Sequence, residues 1–548
     1  MGILAWITLL PLFGAALVML VPREEEAVHR GLGLGTALVT FLVSLFILPD
    51  FDPSQSGFQL EVNRVWIDQL GIRFHLGVDG ISLWLVLLTT FLMPLTLLSP
   101  QAIGIRNIRV REFTVAMLVL EAGMLGAFVA LDLFVFYVFW ELMLIPMYFI
   151  IGIWGGERRL YAAVKFVIYT LLGSLLMLVA ILYLYTQYRA ATGSFSFDYT
   201  TLSHLTLPHL PQVLCFAAFA LAFAIKVPVF PLHTWLPDAH VEAPTGGSVI
   251  LAGVMLKFGT YGFLRFAIPM FPLAAAEAAP LLAILAVIGI VYGALMAYVQ
   301  DDAKKLVAYS SVSHLGFVVL GLMTLSMAGT QGAIYQMLAH GISTGGLFLG
   351  VGLLYDRRHS RKLADFGGLW AKMPVFAACF LVIVLASVGL PGLCGFVGEF
   401  LILIGAFTAE KTWAAAGLPE LFPAAQVLTA ISASAVILAA MYLLTMYQRL
   451  MFGPLDKPEN RSSHMRDIGG RETWVFGIVI VTALAMGIWP KPILDRSEKS
   501  VAAYLSLYGQ RLADARRAPD APAHVFPTLA AAGGAPAALP APARGGTP

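Results

Sequence analysis

Six ionisable side chains lie where a hydrophobic chain has least room for them. Glu141 sits inside FYVFWELMLIPMYFIIGIWGG, Lys226 in AFAIKVPVF, Lys257 in GVMLKFGTYGF, His314 in SSVSHLGF, His340 in YQMLAHGISTGG and Glu399 in GLCGFVGEF. A charged residue at the centre of a membrane helix costs about 2.5–3.5 kcal/mol on insertion scales, which makes each a functional candidate. Four full charges and two imidazoles at similar depth cost on the order of 10 kcal/mol together if left unpaired. They must therefore meet one another or water. A row of carboxylate, amine, imidazole and carboxylate in one layer has the composition of a proton relay. Each group also has a plainer reading, Glu141 as a structural ion-pair partner and either histidine as a hydrogen-bonded packing residue.

Magnitudes show why a Glu–Lys pair suits proton movement. Two unit charges about 6 Å apart at an effective dielectric of about 20 attract by roughly 3 kcal/mol. Moving one proton against about 150 mV costs roughly 3.5 kcal/mol. Making or breaking a Glu141–Lys226 contact is thus comparable to the work of one translocation.

The elements that must position these groups are membrane helices. The chain of 548 residues is 59% hydrophobic and only 12% charged, with a mean hydropathy of +0.83, which excludes a soluble globule of ordinary composition. Apolar runs of helix-spanning length predict about fourteen transmembrane segments. They run approximately over 3–21, 31–49, 78–99, 113–131, 132–154, 160–187, 211–236, 244–270, 278–299, 304–327, 331–355, 374–408, 426–452 and 473–491. Strands of a membrane barrel would be half as long and alternate in polarity, which these do not. The first segment is too long for a signal-peptide core and lacks a basic leader, so it is read as a retained helix. The three cysteines, Cys215, Cys379 and Cys394, lie in hydrophobic segments without CxxC spacing, which argues against disulfides, structural zinc and iron–sulfur clusters. A net charge of +2 gives no sign of nucleic-acid binding.

Loops after odd-numbered segments, among them GGERRL, QDDAKK and DRRHSRKLADFGGLWAK, hold most of the Lys and Arg. The positive-inside rule then places both termini outside. From about Asp514 the chain becomes rich in Ala, Pro and Gly and reads as disordered.

Two segments carry breaks at similar places in what read as two halves: AIKVPVFPLHTW beside Lys226 and SVGLPGLCGFVGEF beside Glu399. Pro228 and Pro231 cannot donate backbone hydrogen bonds, so the carbonyls of Ala224 and Val227 are expected to lose their helical partners; Pro391 frees that of Ser387. Freed carbonyls in hydrocarbon call for a polar, hydrated cavity. Paired interrupted helices are the usual pointer to an inverted-repeat transport site. Lys165 is near enough to Arg158 and Arg159 to snorkel to the surface. Glu121 is intramembrane, with nothing in its surroundings to single it out. His233, Asp238 and His240, in HTWLPDAH, either pass protons inward or cap the helix end.

The stretches VDGIS, FWELMLIPMYFIIGIWGG, KFVIYT, AFAIKVPVFPLHTWLPDAHVEAPTGGSVILAGVMLKFGTYG, AYSSVSHLGF, LAHGISTGGLFL and GLPGLCGFVGEF resemble the antiporter-like subunits of respiratory complex I. The nearest type is chain M in bacteria, subunit 4 in mitochondria, and the likeness runs to about residue 495. It implies an all-α polytopic fold of about 14 helices with two inverted repeats, helices 4–8 over 113–270 and helices 9–13 over 278–452. Helices 1–3 fill 1–112, a loop and helix 14 follow over 453–509, and the tail occupies 510–548. It also implies a proton path through Glu141, Lys226, Lys257 and Glu399, with His314 and His340 as central histidines. A Lys is typical at the Glu399 position of the chain L, chain N and Mrp-type relatives, so Glu399 favours chain M.

On this resemblance the chain is a proton-translocating subunit of NADH:quinone oxidoreductase without a redox centre, cofactor or metal of its own. FMN and iron–sulfur clusters are expected on partner subunits. Chain L-type and chain N-type subunits and membrane lipid are the expected neighbours, in a bacterial inner membrane with both termini periplasmic. The rivals are an Mrp-type cation/proton antiporter subunit, a membrane subunit of a related hydrogenase complex, and a haem enzyme with His314 and His340 as axial ligands.

Overall fold

A computed structural model of the chain describes residues 2–100, 102–103, 108–410, 413, 425–517 and 519–525. The described residues form fourteen apolar helical segments, numbered α1–α14. They are α1 Ile3–Leu20, α2 Glu26–Asp50, α3 Ser82–Leu98, α4 Val110–Val129, α5 Leu133–Trp154, α6 Arg159–Thr192 and α7 His209–Lys226, which resumes as Trp235–Glu242. There follow α8 Thr245–Met270, α9 Pro272–Tyr298, α10 Ala303–Met323 and α11 Met327–Arg358. The last three are α12, split into Pro374–Val388 and Cys394–Phe407, α13 Ala425–Met451 and α14 Gly470–Ile488.

The most apolar stretches of α8 and α11 are wholly buried and that of α10 is nearly so, whereas α1, α2 and α14 leave most of theirs uncovered. Three central helices carrying Lys257, His314 and His340 are thus wrapped by the others. Helix N-termini on and around this centre are closed by side chains: Asp132 accepts from Phe134 and Val135 N–H ahead of α5, and Asp302 from Lys304 and Lys305 N–H ahead of α10. Such caps satisfy backbone donors that have no intrahelical acceptor.

Both expected breaks are present. Residues 227–234 separate the halves of α7, and residues 389–393 those of α12. One detail of the expectation is corrected: the Ala224 carbonyl is not left free, because Val229 N–H reaches it at 2.7 Å, and Trp235 Nε1 donates to the Ile225 carbonyl at 2.9 Å. The irregular segment turns back its own donors onto the helix end. Gly389 takes a φ of +85°, the left-handed conformation that ends the first half of α12 and that glycine adopts without a Cβ penalty.

The helices are not the whole fold. An antiparallel hairpin, β1 Gln59–Ile67 and β2 Ile72–Val78, lies between α2 and α3. Beyond α14 the chain forms a further helix, α15 Lys491–Arg517, whose buried positions Ile493, Ser497, Ser500, Val501, Tyr508 and Leu512 fall on one face. His524–Val525 then pairs with Leu205–Thr206. The expected disorder from Asp514 is therefore overturned as far as Val525, where helix and strand contacts hold the chain; the remainder of the tail, 526–548, lies outside the described residues.

The hairpin is pinned by a buried histidine. His75 Nδ1 lies 2.7 Å from Asp198 Oδ2, in the loop after α6, and Nε2 lies 2.8 Å from Glu61 Oε2 on β1. Burial works against the charged ring, yet the bonds and charges of Asp198 and Glu61 outweigh it and raise the His75 pKa. For Asp198 burial pulls upward, and the bonds from His75 and Thr200 prevail and lower it. A raised histidine stabilises fully below its unfolded pKa and loses that contribution as pH rises through the folded one; a lowered carboxylate stabilises above its unfolded pKa and loses it as pH falls through the folded one. Hydrogen exchange of the β1–β2 amides, corrected for base catalysis, is predicted to be slowest near pH 5–6, roughly between the two ordinary pKa values. His75→Phe should remove that minimum and cost about 2 kcal/mol of local stability.

Candidate functional site

The sequence-predicted groups fall into two clusters. In the larger, Lys257 projects from α8 just after a π-helical turn, Leu251–Met255, and its Nζ donates to the Ala252 carbonyl in that turn at 2.6 Å. The same Nζ lies 2.8 Å from His340 Nδ1 on α11. The rings of His340 and His314 stand 5.7 Å apart, tilted by 55°. His314 Nδ1 is 3.0 Å from Glu399 Oε1 on the second half of α12, and Gln336 Nε2 donates to the same oxygen at 3.0 Å. Lys257, His340, His314 and Glu399 are each at most 5% exposed. Four helices thus contribute one amine, two imidazoles and one carboxylate to a single file.

The break in α12 is what brings the carboxylate in. A Cβ on Gly389 would stand 2.9 Å from Glu399 Oε2, and one on Gly398 would lie 2.6 Å from Gln336 Oε1. Glycine at these two places lets the carboxylate and its amide partner approach the helix backbones.

The smaller cluster is Glu141 on α5 and Lys226 at the end of the first half of α7. Lys226 is 1% exposed, and its ammonium faces the rings of Trp140 at 5.2 Å and Phe166 at 5.6 Å. Among the described residues neither its Nζ nor Glu141 Oε1 has a hydrogen-bond partner. Glu141 acts on Lys226 through its field, but no ion pair within 4.0 Å joins them among the described residues. A desolvated cation over aromatic faces gains about 2 kcal/mol, less than a contact ion pair would give. The Glu–Lys contact that the sequence argument weighed is therefore open here.

Between the clusters, α7 and α8 approach so closely that a Cβ on Gly259 would meet the Phe223 carbonyl and Val227 N at 2.6 Å. Trp140, Phe223 and Phe258 pack around this crossing. No hydrogen bond between Lys226 and Lys257 is found among the described residues.

Residues 130–418 match the family described as NADH:quinone oxidoreductase/Mrp antiporter, TM, and residues 58–126 match NADH-ubiquinone oxidoreductase chain 4, amino terminus. NADH-quinone oxidoreductase subunit M of Rhodobacter capsulatus is 47% identical over 518 residues, 92% of this chain and 97% of the relative. The chain belongs to this family of antiporter-like membrane subunits. Among solved structures, a chain of respiratory complex I from Thermus thermophilus with bound NADH superposes with a TM-score of 0.79 at 34% identity, covering 92% of this chain and 99% of that one. A chain of the Mrp complex from Dietzia sp. DQ12-45-1b gives 0.77 over 93% of this chain and 100% of its own, at 20% identity, which shows a common fold.

The other sequence candidates lie around these two clusters. Lys165 is partly exposed, as a snorkelling lysine would be, and its Nζ reaches the partly exposed Asp238 Oδ2 at 2.7 Å and the Thr234 carbonyl at 2.9 Å, which ties α6 to the second half of α7. His240 is fully buried, stacked on Phe348 at 4.7 Å, with neither ring nitrogen partnered. His233 packs against Phe230 and Tyr292. Glu121 is 0% exposed, and neither carboxylate oxygen has a partner. Of the ring nitrogens that an axial haem ligand would need, His340 Nδ1 is taken by Lys257, His314 Nδ1 by Glu399, and His314 Nε2 lies 3.5 Å from Tyr442 Oη.

Among the buried charges that escaped the sequence reading are Lys304 and Arg265. Lys304, filed with a basic loop, is 6% exposed and donates to the Ala243 carbonyl, at the wall of a cavity of about 520 Å³ that Glu242, Asp302 and Arg361 also line. Arg265, in the hydrophobic run FLRFAI, pairs with Asp79 at 2.5 Å. The cost argument that selected Lys257 applies equally to an arginine two turns along the same helix, so this one was legible.

Gly259→Ala is predicted to push α7 and α8 apart, because the Phe223 carbonyl and Val227 N in its way are backbone atoms, with Val227 Cγ2 beside them at 2.7 Å. Thermal unfolding of the purified protein should show a loss of about 1–3 kcal/mol, the usual cost of overpacking.

Proposed function

We propose that this chain is a proton-translocating subunit of the membrane arm of an NADH:quinone oxidoreductase, with NADH oxidation and quinone reduction carried out on partner subunits that hold the FMN and iron–sulfur centres. The supporting observation is the file Lys257–His340–His314–Glu399, in which every neighbour pair is within hydrogen-bond or ring-contact distance. A proton arriving at Lys257 has an acceptor at each step to Glu399. Glu141 and Lys226 act as the modulating pair: closing their contact holds the proton on Lys226, and opening it releases the proton toward Lys257. A change of roughly 3 kcal/mol on that contact matches the work of one translocation.

Neighbours of chain L and chain N type would flank this chain in a bacterial inner membrane, with both termini periplasmic and the basic loops inside. Two inverted repeats, 113–270 and 278–452, would each supply one broken helix and one half of the path. An Mrp-type antiporter shares the fold, but 47% identity to an oxidoreductase subunit against 20% to an Mrp chain favours the first reading.

The test is Glu141→Gln in the assembled enzyme reconstituted into vesicles. NADH-driven acidification is expected to fall by about a hundredfold, the rate equivalent of losing roughly 3 kcal/mol, with the chain still inserted. Pumping at the normal rate would remove Glu141 from the mechanism, and inhibitor-insensitive sodium/proton exchange would replace the reading with the Mrp one.

A further inference from the structure

A second buried constellation lies on the same helix as Lys257, toward the face that carries the hairpin. Lys257, Tyr261 and Arg265 are spaced four residues apart on α8, which puts them on one side of the helix with Arg265 about 12 Å from Lys257 along the axis. Arg265 is 6% exposed, its Nη2 is 2.5 Å from Asp79 Oδ1, and its guanidinium faces the rings of Phe58 at 5.0 Å and Tyr261 at 5.6 Å. The same Asp79 oxygen accepts from Ile81 and Ser82 N–H, and Gly80 N–H donates to Ser500 Oγ on α15. The pair is therefore locked between α3, α8 and α15.

A cavity of about 290 Å³ reaches this pair from the hairpin face, with exposed Ser56 and Gly57 at its rim and Asp79, Arg265, His204 and Tyr504 inside. His204 Nδ1 and Tyr504 Oη have no hydrogen-bond partner among the described residues, so the cavity is polar where it ends. Beyond Arg265 the next polar group is Tyr261. Its hydroxyl donates to the Phe128 carbonyl at 2.9 Å and receives Arg265 Nε at 3.4 Å, so neither contact is with a group that exchanges protons.

We propose that the Asp79–Arg265 pair is an electrostatic plug that bars protons from passing between Lys257 and the hairpin-face cavity, and so confines them to the sideways file toward Glu399. Guanidinium stays protonated under all physiological conditions and has no acceptor, so it cannot relay a proton. Without such a barrier, a cavity ending two helical turns from the central lysine would short-circuit the gradient. This plug presupposes the translocating role proposed above.

The experiment measures passive proton flux into vesicles containing the assembled enzyme, driven by a potassium diffusion potential with no NADH present. The double variant Asp79→Asn/Arg265→Gln removes both charges, so no unpaired ion is buried; its leak should rise severalfold over the wild type. Arg265→Lys keeps a cation but one that can give up its proton when buried, so its leak should lie between that of the wild type and that of the double variant. A double variant as tight as the wild type overturns the plug. The wild-type enzyme gives a second measurement that needs no variant: ordered water in a high-resolution map should enter from the hairpin face and stop at Arg265, and a water chain running past it to Lys257 overturns the proposal as well. Glu399→Gln separates the two readings, since it should abolish NADH-driven pumping without adding leak; normal pumping there would defeat the translocating role and leave the leak result standing by itself.

Discussion

Hydrocarbon cannot solvate a charge, and the architecture follows from that single constraint. Lys257, Glu399, Arg265 and Asp79 are each nearly inaccessible, and each is met by a group from a different helix. Pairing across helices fixes their relative depth and rotation as firmly as any apolar contact. Because breaking a buried pair by removing one partner is far more costly than breaking an exposed one, the polar file also acts as a register for the bundle. The three helices at its centre, α8, α10 and α11, are those most thoroughly wrapped by the rest.

Helix irregularities convert that register into a connected route. A regular helix presents its side chains every 100° and occupies its own carbonyls, leaving nothing for a lysine to hold. The π-helical turn before Lys257 offers the Ala252 carbonyl to the ammonium, and the break in α12 turns Glu399 toward His314 past two glycines. The break in α7 does something different: it ends the helix at Lys226 and leaves the ammonium among aromatic faces, with Glu141 near but not touching. One half of the site is closed and the other poised, and the close crossing at Gly259 lies between them. The proposed cycle uses this difference: the closed row offers an acceptor at each step, and the open Glu141–Lys226 contact is the one left to be made or broken.

How much of this the sequence revealed depended on whether the signal was local. Hydropathy located all fourteen membrane segments, since burial in lipid is paid residue by residue and needs no knowledge of neighbours. Proline and glycine marked both breaks for the same reason. The six ionisable candidates, five of them buried and Glu141 half-buried, were visible as violations of that hydropathy. What escaped was relational. Lys304 has the surroundings of a surface lysine in sequence and becomes buried only because the loop after α7 folds over it. The reach of Lys165 to Asp238 spans 73 residues and follows from how α6 crosses α7. The hairpin carries short, mixed-polarity strands held by Asp198 from a distant loop, and α15 has too many charges to register as a membrane element although one side of it is buried.

The account rests on the two clusters being joined by water when the assembled enzyme turns over. A map of the complex under NADH and quinone, at a resolution that shows ordered water, tests this most directly. Continuous density for water from Lys226 Nζ around the Gly259 crossing to Lys257 is the predicted result. Dry apolar packing between those two lysines in every turnover state would contradict it.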